Sequence, residues 1–124
     1  MTQSASTPFL RAKELSQKYP NDIIALYSMD NKCRWASPSH ETILGYNQKE
    51  MIGEPWTKFV APEDHAHADL AGTDAILHGE SINFGIKART KTGSRVSLRG
   101  TARILVDQDT QVGYLLFHAS EVPT

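Results

Sequence analysis

The chain has 124 residues, 40% hydrophobic and 22% charged, which is enough for one domain with a real core and too few for two. A formal net charge of -1 removes the basic field expected of a nucleic-acid binder, and a single cysteine, Cys33, excludes a disulfide framework or a cysteine-based zinc site within the chain. No run approaches the roughly 18 apolar residues of a membrane span. The start M-T-Q-S-A-S-T-P lacks the charged and apolar regions of a signal peptide, so the expectation is a cytoplasmic protein.

Residues 1–7 are small and polar and read as a frayed terminus. Thr7-Pro8 starts a helix, with threonine as N-cap and proline in the first turn. Phe9, Ala12, Leu15 (or Ser16) and Tyr19 then recur at helical spacing until Pro20 ends it. A helix this short needs a partner, either the rest of the domain or a second copy of itself. Ile23 to Met29 reads as a strand, Asp30-Asn31 as a tight turn, and Lys32 to Ser37 as the second arm of a hairpin.

From Glu41 to Asp64 the apolar residues come in bursts: Ile43-Leu44, Tyr46, Met51-Ile52, Trp56 and Phe59-Val60. Gly45, Gly53, Pro55 and Pro62 separate them. No burst is long enough for a buried helix, so this is a series of short helical turns that must be laid across a flat apolar surface. Pro62 with Glu63 and Asp64 starts a longer helix, its two carboxylates on the positive end of the dipole. That helix runs to about His78, with Gly79 as a left-handed cap; Leu70 and Leu77, with Ala66 or His67 and Ala71 or Asp74, mark its inner side.

The period then changes to two. Ile82, Phe84, Ile86 and Ala88 alternate with Asn83, Gly85, Lys87 and Arg89, and Thr92-Gly93 turns the chain. Val96, Leu98, Gly100, Ala102 and Ile104 next alternate with Arg95, Ser97, Arg99, Thr101 and Arg103. Asp107 to Thr110 leads into a last strand, Val112 to Ala119, apolar on both faces. Two strands, a helical middle and three strands make an α+β domain: a five-stranded antiparallel sheet with short helices and one longer helix on one face.

Over roughly residues 20 to 120 the sequence resembles a PAS domain. I-L-G-Y (43–46), K-E-M-I-G (49–53) and A-P-E-D (61–64) stand at the family's usual spacing, and K-T-G-S-R-V-S-L (91–98) and V-G-Y-L-L-F (112–117) fit its last two hairpins. The resemblance implies strand order 2-1-5-4-3, with the helices on the concave side. It also implies a sensory role, through a small molecule or cofactor held in that concavity or through dimerisation, with the signal passed to an attached output domain. Residues 1–20 would then be a flanking or dimerisation helix and 21–122 the PAS domain. Two departures stand out. The asparagine often found after the second strand is replaced by Ala36-Ser37-Pro38-Ser39, and the Asp-Ile-Thr ending of many members is replaced by His118-Ala119-Ser120-Glu121-Val122.

On that fold the expected pocket lining is Trp35, Trp56, Phe59, Leu70, Phe84, Leu98, Gly100, Ala102, Tyr114, Leu116 and His118. Gly100 and Ala102 are small where a solid core wants Val or Leu, so they leave room for a cavity or for an inserted ring. His118 would project beside Tyr114 and need a partner. Leu115 and Phe117 would face outward, where Phe9, Leu15 and Tyr19 of the first helix cover them within the chain or across a homodimer. Arg95, Arg99 and Arg103 would form a solvated stripe or pair with a second subunit. His67 and His65 lie on the element that carries the axial ligand in haem-binding members, although two apart on a helix they cannot share one metal. The place of the N-C-R-F motif of flavin photosensors reads E-P-W-T-K-F, without a cysteine, which speaks against flavin–cysteine photochemistry.

No nucleophile elbow, phosphate loop or H-E-x-x-H spacing is present, so the chain reads as a non-enzymatic sensory domain of a signalling protein, of the two-component or transcriptional kind. A ligand-free dimerisation module and a haem sensor are the alternatives. The expected partners are a homodimer mate, an output domain in cis and a small-molecule ligand, with no direct nucleic-acid contact.

Overall fold

In the computed structural model, which describes residues 7–123, five strands join edge to edge in the order β2-β1-β5-β4-β3, every pair antiparallel. In chain order the elements are α1 (Thr7–Lys18), β1 (Ile23–Ser28), β2 (Cys33–Ala36), α2 (Ser39–Leu44), α3 (Gln48–Met51), two 3-10 turns (Trp56–Lys58 and Pro62–Asp64), α4 (His65–His78), β3 (Glu80–Arg89), β4 (Arg95–Val106) and β5 (Gly113–Glu121). The terminal stretch read as frayed falls, for residues 1–6, outside the described residues, as does the Ile82 side chain expected to point inward.

The breaks in the helical middle follow the glycines and caps. Gly45 and Gly79 end α2 and α4 with φ of 90°, and each gives its N–H back to the helix it closes. Asn47 and Glu50 form a reciprocal capping box that starts α3. Glu63 and Asp64 do more than oppose a dipole. Asp64 accepts a hydrogen bond from the Lys87 N–H, and Glu63 pairs with Arg95, whose guanidinium holds the carboxyl below its usual range. The 3-10 turn before α4 is thereby tied to β3 and β4. The expected arginine stripe is spent within the chain: Arg99 donates to the Asn83 carbonyl and Arg103 pairs with Glu80.

Across β1 and β5 the sheet is buried on both sides. On the inner face the main core gathers Ile23, Ala25, Tyr27, Phe84, Leu98, Ala102, Leu115 and Ala119 against Leu44, Met51, Phe59, Ala71 and Ala75, with Phe117 packed beside them. On the outer face Ala12 of α1, flanked by Phe9 and Leu15, covers Ile24, Leu26, Leu116, Tyr114, Leu105 and Trp35. The helix therefore docks on its own sheet.

Two expectations are corrected here. β5 faces the other way: Tyr114, Leu116 and His118 belong to the outer face, whereas Leu115 and Phe117 point into the inner core. The cause is two-sided burial. Both alternations of β5 carry large apolar residues, so the pairing of Ala25 with Phe117 and Leu26 with Leu116 decides the parity. Likewise α4 turns Ala71 and Ala75 inward, leaving Leu70, Ile76 and Leu77 exposed at 68%, 52% and 70%. Alanines let the helix approach the sheet closely, and the leucines expected inside lie on the far side.

Candidate functional site

The inner face and the short helices do not meet everywhere. Ile23, Ala25 and Tyr27 of β1, Phe117 and Ala119 of β5, Phe84, Ile86 and Ala88 of β3, and Leu98 of β4 form a floor. His40 and Leu44 of α2, with Met51, Trp56, Phe59, Val60 and Ala68, form a roof, and between them lies a cavity of about 70 Å³. At roughly 10–15 Å³ for each water-sized probe, that is room for several waters or one small molecule. The space arises because Ala25, Ala88 and Ala119 are small, while edge-to-face ring pairs brace the walls: Tyr27–Phe117 at 5.6 Å, Phe84–Phe117 at 6.3 Å and Tyr46–Phe59 at 4.9 Å.

A second, more polar space of about 350 Å³ lies alongside. It is bounded by Ser28, Met29 and Asn31, by Thr57, and by Asp69, Gly72, Thr73 and Ile76 on one face of α4. Tyr27, Trp56, Ala68 and Phe117 line both spaces, which makes the larger one the mouth of the smaller. Trp56 is fixed at this boundary by its backbone N–H, which donates to Asn31 Oδ1 at 3.1 Å, and by an edge-on ring contact with His65 at 5.6 Å.

Two polar side chains in this apolar setting matter most. His40 is 2% exposed. Its Nδ1 lies 3.0 Å from the Ser37 carbonyl and 3.2 Å from the Ser37 hydroxyl. Burial lowers its pKa to about 4 against the opposing pull of the Ser37 hydrogen bond, so the ring is neutral at pH 7. Nε2 meets no partner among the described residues. Tyr27 is also buried, its phenol pushed well above 10 by burial and then by Cys33, and its hydroxyl likewise has no hydrogen bond among the described residues. A buried polar group left unpaired costs about 1–3 kcal/mol, so two in one cavity call for an explanation.

His40 also begins a chain of polar contacts leading out of the core. Ser37 Oγ accepts from the Ile24 N–H at 3.0 Å and lies 2.6 Å from Ser39 Oγ, which donates to the Asp22 carbonyl at 2.5 Å. The Asp22 carboxylate in turn holds His118 Nε2 at 2.8 Å and Ser120 Oγ at 3.1 Å. The His118 ring stacks at a tilt, 5.0 Å away, on Tyr19 just past the end of α1.

Of the residues expected to line a pocket, the fold brings Trp56, Phe59, Phe84 and Leu98 around the cavity. Trp35, Tyr114, Leu116 and His118 lie on or toward the outer face instead, and Leu70 is on the exposed side of α4. Ala102 packs in the core beside the cavity. Gly100 has a different reason for lacking a side chain: a Cβ there would meet the His118 carbonyl and come within 2.5 Å of the Ala119 Cα. The close approach is by backbone.

Phe9 and Leu15, expected at a dimer interface, cover the chain's own outer face. His65 Nε2 lies 3.0 Å and 2.9 Å from the carbonyls of Thr57 and Val60, while His67 is exposed, so the haem reading gains nothing from either ring. Cys33 is fully buried, with its thiol pushed up to about 12 by burial. No group of three or more His, Cys, Asp or Glu among the described residues is placed to hold a metal ion, and no helix among them is long and apolar enough to cross a membrane.

The sequence reading missed His40, Tyr27 and the three floor alanines. A signal for His40 was available: Ser37, Ser39 and His40 form a polar cluster directly after the strand that ends at Ala36.

A family model described as the PAS fold matches residues 34–117. Comparison with curated proteins finds no matching relative. Among solved structures the chain is similar to the PAS domain of a protein from Colwellia psychrerythraea, with a TM-score of 0.76 and 18% identity, over 92% of this chain and 97% of that one. It is also similar to the PAS-B domain of Drosophila melanogaster Cycle, in a tryptophan-to-alanine variant with bound glycerol and in the wild type with bound ethylene glycol. Each has a TM-score of 0.72 and 17% identity, over 81% of this chain and 99% of the other.

Proposed function

Because the chain belongs to the PAS family, whose modules are generally sensory and signalling, we propose that it binds one small molecule between sheet and short helices and relays its presence to the flanking helix and an output domain. The observation that carries this reading is the unfilled apolar cavity, which two uncommitted polar groups line and a polar mouth adjoins. Trp56 and Phe59 line this space without filling it. Glycerol and ethylene glycol in the similar Cycle domain are molecules of the size such a cavity admits.

The relay we infer runs from His40 through Ser37 and Ser39 to Asp22, and from there to His118 and Tyr19. A ligand that moves α2 relative to β1 would change the Asp22 junction and so the seating of α1. Occupancy biases the relay only as far as the ligand prefers one arrangement over the other. In this reading residues 1–20 are the flanking segment, 21–122 the sensor, and the protein is a cytoplasmic, non-catalytic component of a homodimer.

Native mass spectrometry of freshly purified protein, followed by amide NMR titration with small neutral probes, tests the reading. Saturable shifts centred on Ala25, Ala88 and Ala119 are expected, together with their loss in Ala119→Leu, which fills the cavity. If no probe gives a saturable shift, ligand sensing is refuted.

A different observation favours the alternative, a ligand-free dimerisation module: the exposed Leu70, Ile76 and Leu77 on α4. In that case sedimentation would show a dimer that Leu70→Glu with Leu77→Glu dissociates, whatever the state of the cavity.

A further inference from the structure

The acceptor in the roof limits what can enter. We infer that the cavity takes a small, neutral, largely apolar molecule carrying one N–H or O–H group, and that this group donates its hydrogen to His40 Nε2. The inference rests on the ligand-binding reading above and specifies the ligand's chemistry.

The tautomer decides the direction of the bond. The Ser37 carbonyl oxygen 3.0 Å from Nδ1 can only accept, so Nδ1 carries the ring proton and Nε2 presents a lone pair. That lone pair has no donor among the described residues, on a ring that is 2% exposed and lines the cavity. The depressed pKa, set chiefly by burial, keeps the lone pair free at neutral pH. A ligand with only acceptor atoms would leave that lone pair unpaired, whereas a ligand that donates satisfies it.

Charge is excluded on similar grounds. No Lys, Arg, Asp or Glu among the described residues lines the cavity, so an ionised ligand would lose its hydration with no counter-charge to replace it. Size is limited by the volume of about 70 Å³, with room for extension in the adjoining polar space past Tyr27 and Trp56. The Tyr27 hydroxyl can give or accept a hydrogen bond, so it tolerates either kind of group at that end and imposes no second requirement. Specificity therefore rests on His40.

Pyrrole and furan are five-membered rings of nearly equal shape. Pyrrole presents an N–H donor where furan presents an oxygen. Titrated into the full chain, pyrrole should bind about tenfold more tightly than furan, the worth of one well-placed hydrogen bond in a dry site. The His40 Nε2 nitrogen resonance should move on adding pyrrole and stay put with furan. In His40→Leu the preference should vanish while both rings still bind.

Equal affinities with an unmoved Nε2 resonance would overturn the inference and leave the ligand reading standing. If neither ring binds saturably, both fall. Should His40→Leu fail to fold, the Nε2 resonance of the unmodified chain decides.

Discussion

Acidification should expose the cost of keeping His40 neutral. The folded-state pKa is about 4 and the ordinary value is 6.5, because burial disfavours the imidazolium more than the Ser37 hydrogen bond favours it. The sign follows from the depression. Below about pH 6.5 the unfolded chain takes up a proton that the folded chain refuses, so the stability present above that pH is lost progressively as the pH falls toward 4. At about 1.4 kcal/mol per unit of pKa difference, the loss between pH 7 and pH 5 is about 2 kcal/mol, approaching 3 kcal/mol near pH 4. Urea unfolding of the wild type and of His40→Leu across pH 7 to 5 isolates the effect. The wild type should lose about 2 kcal/mol more than the variant, because other titrating groups contribute equally to both. The exposed carboxylates of Glu50 and Glu63, also depressed, lose their contributions at lower pH. Parallel stability curves for the two proteins over this window would refute the account of His40 as a buried neutral ring.

Gly100→Ala drives a methyl group into the β5 backbone, which cannot yield without breaking strand pairing; a loss of about 3 kcal/mol or more is expected, seen as a melting temperature lower by roughly 10 °C. Gly72→Ala meets nothing within 4 Å on α4 and should stabilise by about 0.5–1 kcal/mol in the same melt. Met51→Ala empties a site in the roof that is 1% exposed and should cost about 2–5 kcal/mol in urea unfolding. Phe9→Ala removes the edge-on contact with Tyr114 at 5.6 Å; limited proteolysis should then cut α1 while the sheet stays intact.

Much of the architecture was legible because local chemistry and global layout agree. Gly45, Gly79 and Gly93 sit at the positive-φ positions that end helices or turn a hairpin. The period-two stretches became strands, and the family resemblance carried their order. What misled was ambiguity between two faces that both carry large apolar residues. In β5 the set Leu115, Phe117, Ala119 is wholly apolar and the set Tyr114, Leu116, His118, Ser120 is not, yet a sheet covered on both sides tolerates either. On α4 the larger residues looked like the inner face, but close helix–sheet approach selected Ala71 and Ala75. Gly100, read as room for a cavity or an inserted ring, lies instead against the β5 backbone, which leaves no space for a side chain. His40 was missed because the Ser37–Ser39–His40 cluster reads equally well as a solvated helix start, and only the packing of α2 against the sheet buries the ring.

α4 forms one wall of the mouth, yet its own anchorage is slight. A buried alanine methyl yields only about 0.8 kcal/mol of transfer free energy, against about 1.5–3 for a buried leucine. With Ala71 and Ala75 inside and Leu70 and Leu77 outside, the helix has placed its largest apolar side chains in solvent, where they add little to its hold on the sheet. Time is the quantity this controls. Partial lifting of α4 should be the fastest route by which a molecule reaches or leaves the buried space, and its amides should exchange with solvent well before those of β1 and β5. A sensor hinged this way would have its response time set by a loosely held helix, while its selectivity resides in a rigid floor and a single imidazole.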